Sequence, residues 1–367
     1  MKILFVGQLA EGQTSRMRME VLREMGHTVI PLDSQARWNR LPWARRRLEQ
    51  KLGWGSTVSY LNGTVLALAQ EHKPDLFWGE KQEYLAPDTV LGLLRRGIRT
   101  LHLTPDPYFT LAWKRTRLMD ASLPLFDYVI CCKQYEMAQY ERTCQRVVYM
   151  PLGYAEAVHR PIAPADRSLR LRFQSDVGFV GGWDPRRQRL LRAVAEDVGS
   201  DLKVWGYGWD HLQDGRWSPR RAYRLRLLAG KDSFRHGKDR SLSGHLQGPE
   251  VYGDEYAWAL SGARIGLGFL RQVCPDQHTT RTFEIPACAS LLLADRTDEH
   301  RSFFREGREA DFFSSEEELL DKVRFYLANE KVRETVAWRG YERCVNSGYS
   351  YRARLGAALT GIGMSPA

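Results

Sequence analysis

Short apolar runs that stop at a glycine or a polar turn, each followed by a stretch with helical spacing, recur along this chain. Lys2-Ile-Leu-Phe-Val6 ends at Gly7, and Met17, Val21, Leu22 and Met25 then repeat at helical intervals. A bounded run of that length predicts a buried strand, and the spacing behind it an amphipathic helix over residues 15–25. Gly26 predicts the helix stop, and the residues up to Asp33 a second strand. Further strands are predicted at 75–79, 100–104, 128–132 and 147–150, with helical stretches such as residues 88–96 between them. Alternation of this kind predicts a parallel sheet covered by helices.

The pattern breaks at Pro151-Leu-Gly-Tyr and His159-Arg-Pro161-Ile-Ala-Pro164, as a hinge between domains would. A second alternation follows, with strands expected at 176–182, 202–206, 263–270 and 290–295. A helix at residues 316–327 carries Ser315 followed by Glu318 as a capping box. Leu319, Leu320, Val323, Tyr326 and Leu327 lie on one face of it. The chain is therefore expected to be α/β, with two Rossmann-like domains at residues 1–155 and 156–345 and a further segment at 346–367.

Composition adds constraints. At 367 residues and 43% hydrophobic content the chain can build two cores. No stretch approaches the ~18 apolar residues that span a bilayer, and Met1-Lys-Ile-Leu-Phe-Val-Gly lacks the features of a signal peptide. A soluble, cytoplasmic protein is expected. The six cysteines show no zinc spacing and read as reduced thiols. The net charge of +10, from 54 basic and 44 acidic residues, favours an anionic partner. Nucleoside diphosphates, anionic membrane surfaces and nucleic acid all qualify. The charges are spread through both halves rather than gathered in one stripe, which argues against nucleic acid. No Asp-x-Asp pair stands at a strand end, so no metal is called for.

The richest chemistry lies in Asp276-Gln-His-Thr-Thr-Arg281-Thr-Phe-Glu284-Ile-Pro-Ala-Cys288. Pro286 lacks an N–H and fits a first helical turn, which predicts a helix start near Thr282 with Thr279, Thr280 and Arg281 at its mouth. Backbone N–H groups, the helix dipole and a guanidinium would converge there on a phosphate. Glu284 would face the same cavity and accept hydrogen bonds from a vicinal diol such as a ribose. His278 either donates to a phosphate or sugar oxygen or orders the loop. Asp276 either binds a sugar or caps its own backbone.

Gly181 and Gly182, after an apolar strand, would let the backbone approach a pyrophosphate, or simply make a tight turn. Trp205-Gly206-Tyr207-Gly208-Trp209 could form a base-stacking wall or pack inward. In the first domain Asp106, between Pro105 and Pro107, ends a strand where open α/β folds bind ligands. It reads as a general base for a hydroxyl, or as a turn aspartate. Glu80 and Lys81 occupy a similar place. Arg37 to Trp54 mixes indoles with cations, which suits a peripheral membrane contact or a helix whose tryptophans pack inward. The basic stretch within 212–247 reads as an insertion.

The run from Arg281 to Ala289, then Leu292-Leu-Ala-Asp295-Arg-Thr-Asp-Glu299, Phe303-Phe304, Gly307-Arg-Glu309, the 316–326 helix and Arg339-Gly340, resembles the C-terminal signature of CgeB-like glycosyltransferases. These are a branch of the GT-B group that includes the group 1 enzymes. The resemblance covers roughly residues 250–355. It implies a GT-B fold whose two parallel-sheet domains face a central cleft, with residues 349–359 returning to the first domain. Gly248-Pro249-Glu250-Val251-Tyr252 resembles the base-holding loop of group 1 enzymes, with Val251 at the nucleotide. Related retaining enzymes carry a Glu, seven residues, then a second Glu. The second matches Glu284, implied to hold the ribose, and the first position is Asp276, implied to lie near the donor sugar. Gly7 and Gln8 would form the cleft floor.

The implied activity moves a sugar from a nucleotide-diphospho sugar to an acceptor hydroxyl on a glycan, a lipid-linked glycan or a protein, as in polysaccharide biosynthesis. No cofactor is expected beyond that co-substrate. Competing readings are a nucleotide-sugar 2-epimerase on the same fold and a non-catalytic basic surface-binding protein.

Overall fold

Six apolar runs in the first part of the chain become the strands of one parallel sheet: β1 (Lys2–Gly7), β2 (Thr28–Asp33), β3 (Leu76–Glu80), β4 (Arg99–Thr104), β5 (Tyr128–Cys131) and β6 (Val147–Tyr149). In this computed structural model residues 1–112, 115–197, 201–209, 212 and 240–364 are described. The expected insertion at 212–247 lies outside them except for Leu212 and residues 240–247. Two compact units result, Met1–Leu152 with Tyr351–Ala367, and Gly153–Ser350.

The first sheet has the order β2-β1-β3-β4-β5-β6. Its central strands are buried on both faces, as continuous rather than alternating apolar runs require. Helices α1 (Thr14–Glu24), α2 (Ala36–Arg40), α3 (Trp43–Leu52) and α4 (Ser56–His72) lie between β1 and β3. Leu61, Val65 and Ala69 of α4 join Leu4, Val6, Phe77 and Val129 in the core. The final helix, Tyr351–Gly361, belongs to this unit. Its Arg352 pairs with Glu24 of α1 at 3.0 Å, and Arg354 donates to the Leu152 carbonyl.

The second sheet comprises β7 (Ser175–Val180), β8 (Leu202–Trp205), β9 (Leu246–Gly248), β10 (Ala263–Gly268), β11 (Leu291–Asp295) and β12 (Asp311–Phe313), in the parallel order β12-β11-β10-β7-β8-β9. The two edge strands, β9 and β12, are absent from the sequence expectations. Each is three residues long. The helix Glu316–Ala328 is capped by Ser315, whose hydroxyl accepts from the Glu318 amide at 3.1 Å. The returning half of the box is displaced, because the Glu318 carboxylate accepts from Ser314 N–H at 2.8 Å.

The helix holding Pro286 departs from expectation. It runs Arg281–Ala287, so it starts one residue earlier and places the proline in its second turn. The helix stops one residue later, and the Cys288 amide closes it on the Glu284 and Ile285 carbonyls at 3.2 and 3.1 Å. The missing proline donor thus falls where the helix is ending anyway.

Beneath the first sheet's carboxyl edge, Arg18 of α1 meets Glu80 of β3 with both side chains fully buried. Its Nε and Nη2 donate to the two carboxylate oxygens at 2.8 and 2.7 Å, and the indole of Trp78 donates to the same carboxylate at 3.2 Å. The guanidinium also lies over the Tyr351 ring, 5.1 Å from its centroid. Removing one partner strands a buried charge. Glu80→Ala is therefore expected to lower stability by about 3–5 kcal/mol in urea unfolding.

A neutral histidine lies near this pair in the same core. His102 Nε2 accepts from the Gln82 amide at 3.2 Å, so its proton sits on Nδ1, which has no hydrogen-bond partner among the described residues. Burial pushes its pKa down to about 3. An unfolded histidine takes a proton near ~6.5, so the unfolded state binds more protons between there and about 3. Stability through this group is whole above that window and falls as pH drops across it. His102→Gln, which keeps an acceptor, should flatten the acid limb of stability measured from pH 6.5 downward.

Candidate functional site

In the second sheet the strand order reverses between β7 and β10, and open α/β sheets bind ligands beyond the carboxyl ends of such a pair. The loops there carry Gly181 and Gly182 after β7, Gly206 and Tyr207 after β8, and Phe269 to Arg271 after β10. Gly206 has φ +142°, and a Cβ on it would fall 2.1 Å from the Gly181 carbonyl oxygen. A Cβ on Gly182 would fall 2.3 Å from the Tyr207 ring. The glycines thus let two loops lie against each other. Trp209 locks them, donating from its indole to the Gly181 carbonyl at 2.9 Å. Trp205 and Trp209 are buried. Of the expected aromatic wall, Tyr207 alone keeps partial exposure.

Three guanidiniums gather around these loops. Arg281 crosses to β7, where its Nε donates to the Val180 carbonyl at 2.7 Å. Its Nη1 donates to Glu284 at 2.6 Å and Thr280 Oγ1 at 3.0 Å, and the group lies 5.0 Å from the Tyr256 ring centroid. The side chain keeps 28% exposure. Arg271 donates to the Tyr207 hydroxyl. Arg187 is buried, donating to the Gly182 carbonyl at 3.0 Å and the Phe269 carbonyl at 2.6 Å. Burial first, and then the charges of Arg271 and Arg281, lower its pKa to about 10. Among the described residues neither Arg187 nor Arg271 forms an ion pair with a carboxylate. Positive potential therefore converges on the backbone of Gly182 and on Tyr207.

Arg187 and Arg271 escaped the sequence reading. Arg187 sits in the helix Pro185–Asp197, whose several arginines look like one solvated face. Only packing shows that this one turns inward.

Glu284 is buried under Arg281. Tyr256 donates to its Oε2 at 2.5 Å, and His159 Nε2 lies 3.5 Å from Oε1. Burial works to raise its pKa, but Arg281 and His159 and the two hydrogen bonds hold it below the ordinary carboxylate range. Burial lowers the His159 pKa, and its Nδ1 accepts from the Ala155 amide at 2.9 Å. Its neighbours thus favour the charged carboxylate, while burial works against a charge on the histidine beside it.

The residues expected at the sugar end, Asp276 and His278, turn toward their own loop. His278 is buried with its ring edge-on to Phe283 and Phe303, and its Nδ1 lies 2.5 Å from Glu299. Asp276 accepts from the Cys274 thiol at 3.2 Å. Thr279 N–H donates to Thr282 Oγ1 at 3.1 Å, and that hydroxyl is 2.8 Å from His300 Nε2. His300 Nδ1 lies 2.6 Å from the Asp295 carbonyl, which can only accept, so Nε2 receives the threonine proton. Burial keeps His300 neutral, with a pKa of about 4.

The expected fan of open amides is reduced. Thr282, Phe283 and Glu284 N–H already bond Thr279 and Thr280 carbonyls at 3.2, 3.0 and 2.9 Å. Positive charge at this mouth comes from guanidiniums rather than from a two-turn helix. Val251 is buried just before the helix Gly253–Ser261, beside the half-exposed Tyr252.

The first sheet reverses order between β1 and β3, and Gly7, Gln8, Glu80 and Lys81 lie at that point. Glu80 is below the surface, held by Arg18. Lys81 takes the accessible place, at φ +52°, a left-handed conformation that costs a non-glycine residue ~1–2 kcal/mol. Its Nζ is 3.1 Å from Asp106 Oδ2 at the end of the adjacent β4, with both side chains part exposed. Among the described residues no cluster of three or more His, Cys, Asp or Glu could hold a metal ion.

Tyr256 carries a proton to a buried carboxylate. Tyr256→Phe is expected to cost about 1–3 kcal/mol in chemical denaturation, the penalty of leaving a buried acceptor short of a donor.

Residues 186–360 match a family model described as glycosyl transferase-like. No curated protein matches the chain. Among solved structures, a sucrose-phosphate synthase from Thermosynechococcus elongatus is similar at 15% identity and a TM-score of 0.65, over 99% of both chains. Anabaena HepE, in complex with UDP and glucose, is similar at 12% identity and a TM-score of 0.63, over 99% of this chain and 100% of that one. A putative UDP-N-acetylglucosamine 2-epimerase from Listeria monocytogenes reaches 11% identity and a TM-score of 0.54, over 99% and 96%. The chain thus has the fold of the GT-B glycosyltransferases, and its residues 186–360 are similar to the glycosyl transferase-like family.

Proposed function

We propose that the protein transfers a glycosyl group from a nucleoside-diphosphate sugar to an acceptor hydroxyl. The observation that carries this is the convergence of Arg187, Arg271 and Arg281 on the loops at the switch point of the second sheet, within a glycosyl transferase-like region. In the reaction the bond from the anomeric carbon to the diphosphate oxygen breaks and one from that carbon to the acceptor oxygen forms. The diphosphate leaves with the bonding electrons, and the three guanidiniums stabilise its charge. Gly181, Gly182 and Tyr207 receive the pyrophosphate side, Thr279 and Thr280 flank it, and Val251 meets the base. Glu284, charged and locked to Arg281, faces the ribose. Asp276 and His278 belong to the donor-sugar end.

On the first unit, Asp106 accepts the acceptor's proton, with Lys81 orienting its carboxylate and Gly7 and Gln8 beside them. This assignment suits inversion of configuration. The CgeB-like branch is the finer family reading, carried by the sequence from Arg281 to Glu299. Turnover needs no divalent metal, and the basic segment Arg37–Trp54 keeps the protein at the inner membrane face.

UDP is the first probe, because HepE was solved with it. UDP should raise the melting temperature, since a ligand of the native state alone stabilises it. Arg281→Ala should abolish that shift and cut kcat by about 10²-fold or more. Turnover should persist in excess EDTA. Retained nucleotide binding in Arg281→Ala would remove that residue from the phosphate site. Conversion of the sugar in NMR spectra without acceptor would establish the epimerase instead.

A further inference from the structure

Helix α3 is built inside out. Its single acid, Glu49, is buried, while Trp43, Leu48 and Leu52 are 53, 58 and 46% exposed. A helix of a soluble protein normally turns its apolar stripe to the core. Here Ala44, Leu48 and Leu52 share the outward face with Arg47 and Lys51. Glu49 serves the interior, accepting from the Thr57 amide at 2.9 Å at the start of α4 and from Arg45 at 3.1 Å. Burial works to raise its pKa, and these bonds hold it below the ordinary carboxylate range.

The turn after α3 continues the same design. Trp54 stands between Gly53 at φ +68° and Gly55 at φ +139°, and its indole is 67% exposed. A Cβ on Gly55 would fall 2.5 Å from the Glu49 carboxyl carbon. The buried acid therefore fixes the turn that holds the indole out. Arg37 lies 4.4 Å from the ring centroid of the exposed Tyr60, and Arg47 lies 5.9 Å from that of Trp43. From residue 36 to 55 the chain carries six cations, Arg37, Arg40, Arg45, Arg46, Arg47 and Lys51, against Glu49 alone.

We infer that this face docks on an anionic phospholipid surface. Cations paired with outward indoles and leucines match a headgroup layer, where charge attracts and amphipathic rings settle at the interface. No helix among the described residues is long and apolar enough to cross a membrane, so the face lies on the bilayer rather than in it. Helix α2 and then α3 follow β2, whose carboxyl end is on the same sheet edge as Lys81 and Asp106. On the glycosyltransferase reading, the acceptor is then a lipid-linked glycan.

The test is sedimentation of the full-length protein with vesicles of phosphatidylcholine alone or mixed with phosphatidylglycerol. Binding is expected to the anionic vesicles and not to the neutral ones. The double variant Leu48→Glu with Leu52→Glu, and separately Trp54→Ser, should weaken it at least about tenfold, with melting temperature and UDP response unchanged. No binding to either vesicle overturns the inference. So does binding that survives the leucine variant while high salt abolishes it, which marks a site for a soluble polyanion. A dimer in light scattering that the leucine variant dissociates shows that a second copy covers the face. Vesicle binding does not use the donor site, so failure of the transferase reading leaves this result standing.

Discussion

The Arg281 guanidinium is held on three sides, by the Val180 carbonyl, the Glu284 carboxylate and the Tyr256 ring. Those partners lie at the end of β7, in the arginine's own helix and in the helix Gly253–Ser261. Burial works to lower its pKa, but Tyr256 and Glu284 hold it above its ordinary value. A charge kept this way is a fixed source of potential rather than a solvated side chain, because its dipolar surroundings are already oriented. Arg187 and Arg271 add to it without forming ion pairs among the described residues, and the charge of Asp184 offsets part of the Arg187 field where the β7 and β8 loops meet.

Both units pair an arginine with a buried glutamate. In the first, Arg18 and Glu80 tie α1 to β3 beneath the switch point, and Lys81 is left above it. In the second, Arg281 and Glu284 pair within one helix, and Arg281 ties that helix to the end of β7 through the Val180 carbonyl while keeping an exposed edge. The contrast follows from position. Arg18 is fully buried under the Tyr351 ring, and its partner Glu80 also accepts from the Trp78 indole. A pair that is fully enclosed stabilises; a pair with one open side can also bind.

Strands with long apolar runs were legible because a doubly covered parallel strand needs continuous hydrophobicity, as in Leu4 to Val6 or Leu291 to Ala294. β9 and β12, at three residues each, were not among the expected strands, although the equally short β6 was. Arg281 and Glu284 stood out by chemistry and spacing, and the structure brings them together at 2.6 Å. Arg187 was hidden among like residues of a basic helix. The open amides expected around Thr279 to Glu284 were misjudged for a local reason, as threonine hydroxyls and carbonyls close the first turn on itself. The tryptophans of Arg37–Trp54 divided, with Trp38 packed against Tyr84 and Trp43 and Trp54 facing out.

The sequence by itself determined the α/β alternation, the two-part organisation and the concentration of chemistry between Asp276 and Glu284. These follow from local periodicity and from which residue types stand near one another in the chain. Only the tertiary structure decided which charges are enclosed and which remain open. Enclosure depends on neighbours that are distant in sequence: Glu80 meets an arginine 62 residues away, and Arg187 meets a carbonyl 82 residues away. The free energy of a charge is set by what surrounds it, and that is a property of the fold.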